Sequence, residues 1–152
     1  MLATFAALGG GGGGACSGDD GVTATVERVV DGDTVQLADG TKIRYLMVDT
    51  PENTSTTECY GANATKFNRD LVEGKTVVLR YDVQRQDRFG RTLAYVTVDG
   101  IEVNSLLVQR GFGCVLHIPP DGDDRVDEFK ALEDEARAAN AGLWGACMPR
   151  PC

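Results

Sequence analysis

A chain of 152 residues that is 42% hydrophobic and 25% charged has the composition of a globular domain, long enough to bury a core. Its formal net charge of −8 and its pI near 4.6 exclude a generally basic nucleic-acid-binding surface, because phosphate contacts need Lys and Arg. A local cluster would have to supply them.

The first stretch, Met1 to Leu8, is apolar and is followed by a run of glycines from Gly9 to Gly14 and then Ala15-Cys16-Ser17-Gly18. Residues 1–21 therefore read as a segment apart from the body, either a flexible Gly-rich tail or a signal. They resemble the end of a bacterial lipoprotein signal. That resemblance implies export, lipidation of Cys16 and a membrane tether through it.

The body begins with Val22 to Val30, rich in β-branched residues, then Asp31-Gly32-Asp33, where Asp31 reads as turn chemistry, then a short strand from Thr34 to Leu37. Asp39-Gly40 is a tight-turn signal. The next strand, Lys42 to Val48, is predicted to run antiparallel to its predecessor, with Ile43, Tyr45 and Met47 alternating against Arg44, Leu46 and Val48. It stops at Asp49-Thr50-Pro51-Glu52, where proline ends the ladder. Arg44, Asp49 and Glu52 thus stand at one strand mouth, a cation and two carboxylates suited to a metal and a phosphate.

After a polar loop, Tyr60 to Glu73 has apolar residues at helical spacing (Ala62, Ala64, Phe67, Leu71), and Gly74 stops it. Lys75 to Val83 is a fourth strand and Gln84 to Gly90 a charged turn. Arg91 to Val98 is a fifth strand, closed by Asp99-Gly100. Val103 to Arg110 is a short helix, and Gly113 to Pro120 an extended loop. Asp124 is the expected N-cap of a last helix reaching about Ala139, with an acidic first turn that suits the helix dipole. The acids cluster from Asp121 to Glu135 and at Asp19-Asp20, whereas Arg80, Arg85, Arg88 and Arg91 lie close together in the middle, facing few acids. The expected class is α+β, a five-stranded OB-fold barrel with three α-helices, spanning residues 22–146. Residues 147–152 form a cysteine-containing tail.

There are five cysteines, with no Cys-x-x-Cys spacing, and a single histidine, so no zinc pattern is present. Two disulfides plus an odd Cys16 suit an exported protein. Among the three connectivities of four cysteines, the expected pairs are Cys114 with Cys147, and Cys59 with Cys152.

Separated segments, in order, resemble the staphylococcal nuclease (thermonuclease) family: Val30-Asp31-Gly32-Asp33-Thr34-Val35, Arg44 through Glu52, Asp87 through Tyr95, and Val103-Asn104 to Gly111, with Tyr60-Gly61 and Gly142-Leu143-Trp144 also fitting. The resemblance covers residues 22–144. It implies a Ca²⁺-dependent nuclease that hydrolyses DNA or RNA at the P–O5′ bond and leaves 3′-phosphate ends. Carried over residue by residue, Asp33 and Asp49 are metal carboxylates, and Thr50 adds a backbone carbonyl. Glu52 lies near the attacking water, and Arg44 and Arg91 clamp phosphate. Such hard oxygen ligands suit Ca²⁺. An arginine is a poor proton donor, so Arg91 is assigned electrostatic stabilisation.

The chain departs from the family's type member in the loop Cys114 to Pro120, which has no tyrosine, and at Phe89, where tyrosine is frequent. Phe89 and His117 are the expected stacking substitutes, with Arg88 beside them as a substrate contact. The expected partners are a nucleic-acid substrate and no protein, with the chain a monomer. The alternative function is a non-catalytic nucleic-acid- or protein-binding module on an exported lipoprotein.

Overall fold

The structure, a computed structural model, describes residues 21–152; the expectations for the N-terminal segment, including lipidation of Cys16, fall outside the described residues. The barrel starts with β1 (Val22–Asp31), which serves two neighbours. Its first half pairs antiparallel with β5 (Thr76–Arg80), and its second half pairs with β2 (Thr34–Leu37). Register irregularities between Val26 and Arg28, and between Val29 and Asp31, let one strand bend between two partners. β3 (Lys42–Tyr45) returns antiparallel to β2. The ring closes through β6 (Thr92–Val98), antiparallel to β5 and parallel to β3, with Tyr45 opposite Ala94. This is the expected five-stranded closed barrel. A short hairpin partner, β7 (Ile101–Glu102), follows across Asp99-Gly100, both residues at positive φ as a type I′ turn requires.

The strand predicted to run unbroken from Lys42 to Val48 is in fact two. It breaks at Leu46, and Met47, at φ 66°, opens β4 (Met47–Asp49), which leaves the barrel to pair with β8 (Cys114–Leu116). Part of the predicted extended loop 113–120 is therefore a strand. The break is stabilised by Asn104, fully buried at the start of α2 (Val103–Gln109). Its Nδ2 donates to the carbonyls of Leu46 and Ala94, at 2.9 and 3.1 Å, and its Oδ1 accepts the Val96 N–H at 2.8 Å. A side-chain amide thus satisfies backbone groups that a continuous ladder would have paired. Because of the break, Ile43 through Val48 are all buried, and the two-residue alternation does not sort inside from outside.

The core is the barrel interior together with the faces of the helices that cover it. Val26, Val35, Ile43, Leu79, Val96, Leu107 and Phe129 are almost wholly buried. α1 (Gly61–Val72) packs on β1 and ties the barrel to its rim through polar groups. Buried Tyr45 donates its hydroxyl to Asn68 Oδ1 at 2.8 Å, and Asn68 Nδ2 donates to the Asp31 carbonyl at 3.0 Å. α3 (Val126–Ala138) starts two residues after the predicted Asp124 cap. The preceding residue, Arg125, fixes the start instead: it pairs with both carboxylate oxygens of Glu102 at 2.9 and 3.0 Å and lies over the Tyr95 ring.

A fourth, one-turn helix, α4 (Leu143–Ala146), adds to the three predicted. Leu143 and Trp144 pack there with Cys114 and Ala136 in a second apolar cluster. This packing corrects the disulfides. Cys59 pairs with Cys147 (Cα atoms 5.9 Å apart), and Cys114 pairs with Cys152 (6.3 Å). The turn of α4 carries Cys147 to the entrance of α1, and the last residues run back to β8, so each expected partner is exchanged. Among the described residues, no helix is long and apolar enough to cross a membrane.

Candidate active site

Asp33 sits in the turn between β1 and β2 and is 5% exposed. Its carboxylate is held from several sides. Oδ2 accepts the Thr50 N–H at 2.9 Å and the Thr50 hydroxyl at 3.1 Å, and Oδ1 accepts the Thr34 hydroxyl at 2.9 Å. The turn needs Gly32, because a Cβ there would collide with Thr50 and Ala64. Arg44, on β3 and 9% exposed, reaches the same place. Its Nη2 lies 3.3 Å from Asp33 Oδ2 and 3.0 Å from Asp49 Oδ1. Its Nη1 donates to the carbonyls of Tyr45 and Val48, both at 2.7 Å. Those two carbonyls flank the strand break, so the break builds the socket that holds the guanidinium. Asp49, at the end of β4, keeps a side chain 52% exposed.

The acids press on one another. Asp31, one turn residue from Gly32, accepts the Asp33 N–H on Oδ1 at 3.1 Å. Burial, then the charge of Asp33, pushes its carboxyl up to about 7, with a smaller contribution from Glu52. Asp49 is also raised. Burial dominates, Arg44 opposes it, and the charges of Asp33, Glu52 and Glu58 add to it. Asp31, Asp33, Asp49, Glu52 and Glu58 therefore form one acidic centre with Arg44 set into it. Sequence reasoning took Asp31 for turn chemistry. It does form the turn, but its burial beside Asp33 came only with the fold.

Such a donor set fits a hard divalent cation. It offers carboxylate oxygens without nitrogen or sulfur, and its like charges gain from a cation. Among the described residues no three His, Cys, Asp or Glu side chains close a cage by themselves. Backbone carbonyl, water or substrate oxygens would have to complete the coordination, as the loose shell of Ca²⁺ tolerates.

Glu52 follows Pro51 on an exposed loop. Its side chain meets the Thr54 hydroxyl at 3.3 Å, and its charge reaches both Asp31 and Asp49. Arg91 stands just before β6, where Asp87 holds it through Nε at 2.7 Å. Against burial, which raises the Asp87 carboxyl, the Arg91 and Phe89 N–H groups and the Arg91 side chain keep it below the usual range. The arginines of this segment were expected to face few acids; Arg91 faces Asp87 directly.

Arg44 and Arg91 line one cleft of about 780 Å³, shared with Arg88, Phe89, Leu116 and Ile118. Phe89 is 67% exposed, with Arg88 4.8 Å and Arg91 5.4 Å from its ring centre. A flat apolar surface between cations is suited to a base beside a phosphate. His117 points elsewhere: its Nε2 is 2.8 Å from Asp123 Oδ1, while its neighbours Leu116 and Ile118 face the cleft. The structure thus gathers Asp33, Arg44, Asp49 and Thr50 at one point. Glu52 stands at its edge, and Arg91, beside the strand that carries Arg44, lines the same cleft with Arg88 and Phe89.

Comparison with known proteins agrees with this geometry. A family model described as staphylococcal nuclease homologue matches residues 42–146. Endonuclease YncB of Bacillus subtilis (strain 168) is 37% identical over 130 residues, covering 81% of this chain and 62% of the relative. The SPbeta prophage-derived endonuclease YokF of the same organism is 36% identical, over 81% of this chain and 44% of its own length. An uncharacterized endonuclease of Escherichia coli O157:H7 is 37% identical, over 83% and 79%. The chain thus spans less than two thirds of each Bacillus subtilis relative and about four fifths of the Escherichia coli one. With a family match over most of the barrel and α-helical cover, the chain belongs to the staphylococcal nuclease homologue family.

Proposed function

We propose that this chain is a Ca²⁺-dependent nuclease that hydrolyses DNA or RNA at the P–O5′ bond and leaves 3′-phosphate ends. One observation carries the reading: Asp33 and Asp49 converge on the same Nη2 of a buried arginine that also lines the cleft. Asp33, Asp49 and the Thr50 carbonyl are the groups that would hold Ca²⁺, which when bound neutralises phosphate charge. The chain's own residues do the rest. Arg44 is held in place by the Tyr45 and Val48 carbonyls through Nη1, and its Nη2, paired with Asp33 and Asp49, would turn to a phosphate oxygen once a cation takes those carboxylates. Arg91, braced by Asp87 and just before the strand that pairs with that of Arg44, supplies a second donor in the same cleft as charge grows on phosphorus. Glu52, exposed at the rim, orients water for attack and accepts its proton. Phe89 offers its face to a base, and Arg88 contacts the strand.

Export is the second part of the proposal. Two disulfides among the described residues suit an oxidising compartment, and lipidation of Cys16 would tether the domain to a membrane. We assign it a monomeric state. The catalytic reading is tested by incubating the protein with single-stranded DNA in Ca²⁺ or in chelator and analysing the product ends. Fragments that accept a 5′ label without prior phosphatase treatment and carry a 3′-phosphate are expected, in Ca²⁺ only. Products with 5′-phosphates, or equal cleavage in chelator, would contradict it.

A further inference from the structure

Glu52 is exposed, and what holds it is the neck of its loop. The Glu52 N–H donates to Glu58 Oε2 at 2.9 Å, and the Glu58 N–H donates back to the Glu52 carbonyl at 2.9 Å. Inside this pair Asn53 and Thr57 bridge antiparallel, and Asn53 Nδ2 reaches Thr65 on α1. The tip, Thr54 to Thr56, is polar and exposed. The residue after Glu58 is Cys59, itself exposed but bonded to Cys147, which is buried in the cluster of Leu143, Trp144 and Ala136. Gly61 lets the Glu52 carbonyl come close, because a Cβ there would overlap it. A short loop carrying a reactive carboxylate is thus clamped at its base by one carboxylate and one covalent bond to the far end of the chain.

We infer that Glu58 and the Cys59–Cys147 disulfide are positioning elements for Glu52, and that turnover therefore depends on the oxidised state of that bond. The inference rests on the nuclease reading above. A dithiol reductant supplies two electrons and two protons. The Cys59–Cys147 bond then opens to two thiols as the dithiol closes to its own disulfide. The loop would keep its Glu58 hydrogen bonds but lose its anchor to α4, so Glu52 would wander from the attacking water. Displacements of about 1 Å at such a group cost up to about 100-fold in rate.

The test uses the full chain with Glu58→Ala, Glu58→Gln and the double variant Cys59→Ser/Cys147→Ser. Steady-state cleavage of single-stranded DNA in Ca²⁺ is measured in both the wild-type and the Glu52→Gln backgrounds, at a temperature where Trp144 emission remains native. Glu58→Ala should lower kcat about 10-fold with KM within about twofold. Glu58→Gln, whose amide oxygen can still accept the Glu52 N–H, should recover most of that loss. The double cysteine variant should lose kcat similarly. None of the three should lower kcat further in the Glu52→Gln background, a coupling that general loosening would not produce. Should the double variant not fold, wild-type kcat with and without the dithiol replaces it, and an unchanged kcat on full reduction overturns the redox dependence. Wild-type kcat in Glu58→Ala, or equal losses in both backgrounds, overturns the inference while leaving the nuclease reading intact. A wild type inert toward DNA overturns both.

Discussion

Arg44 shows how much one side chain can organise. Its guanidinium makes two backbone and two carboxylate contacts in a fixed fork, a task that an ammonium point charge cannot repeat. Arg44→Lys should reduce kcat/KM by about 100-fold, as loss of a preorganised donor does elsewhere. Wild-type activity in that variant would show that the fork is structural only. Asp87 allows a prediction from pH. Its carboxyl is held below the ordinary range in the folded state, so the stability it adds is fully present above its unfolded pKa near 4. That stability is lost as pH falls through the lower folded value. Urea denaturation of wild type and Asp87→Asn should therefore show a stability gap at about pH 5 that narrows toward about pH 2.5. A gap independent of pH would contradict this. Arg44 and Asp49 were legible because strand ends are marked by local residue types, whereas Asp33 was legible as a site residue only through the family resemblance. Asp31 was legible only as a turn, since its burial beside Asp33 depends on Thr50 and α1 closing over the loop.

At the scale of elements, the β3–β4 break decides the site. It frees the Tyr45 and Val48 carbonyls for Arg44 and turns Asp49 toward Asp33. Asn104 is the residue that makes the break affordable, because Leu46 could not otherwise leave the ladder. Asn104→Ala would leave the Val96 N–H and the Leu46 carbonyl buried without this partner. A loss of about 3 kcal/mol is expected by denaturant titration, on about 1–3 kcal/mol per unsatisfied group. A change below about 1 kcal/mol would mean that the barrel reseals around the gap. The five barrel strands and the Asp39-Gly40 and Asp99-Gly100 turns were readable from β-favouring runs and turn residues. The break was not: Met47 takes positive φ without being glycine, and its cause lies 57 residues away in Asn104. The start of α3 was displaced from Asp124 for a similar reason, because Arg125 answers to Glu102 on another element.

For the whole molecule, the acidic surface and the arginine-lined cleft set opposing electrostatics. On the nuclease reading, a chain with net charge −8 would repel nucleic acid at long range and hold it through a few local cations. Substrate binding should be marginal and electrostatic, so kcat/KM on single-stranded DNA should fall steeply between about 50 and 200 mM salt. A flat response would remove electrostatics as the main source of affinity. The disulfides join distant parts of the chain, Cys59 to Cys147 across 88 residues. Their connectivity could not be read from spacing, because it follows from where α4 docks. The central claim is that Asp33, Asp49 and Arg44 form one metal-assisted phosphodiesterase centre. The most direct measurement is the Ca²⁺-stimulated cleavage rate of single-stranded DNA by wild type and by Asp49→Ala, whose exposed side chain makes its removal mild for the fold. The account predicts a wild-type rate that disappears in chelator and a variant reduced by at least about 100-fold, with its thermal unfolding little changed. Equal rates for the two proteins in Ca²⁺ would contradict it.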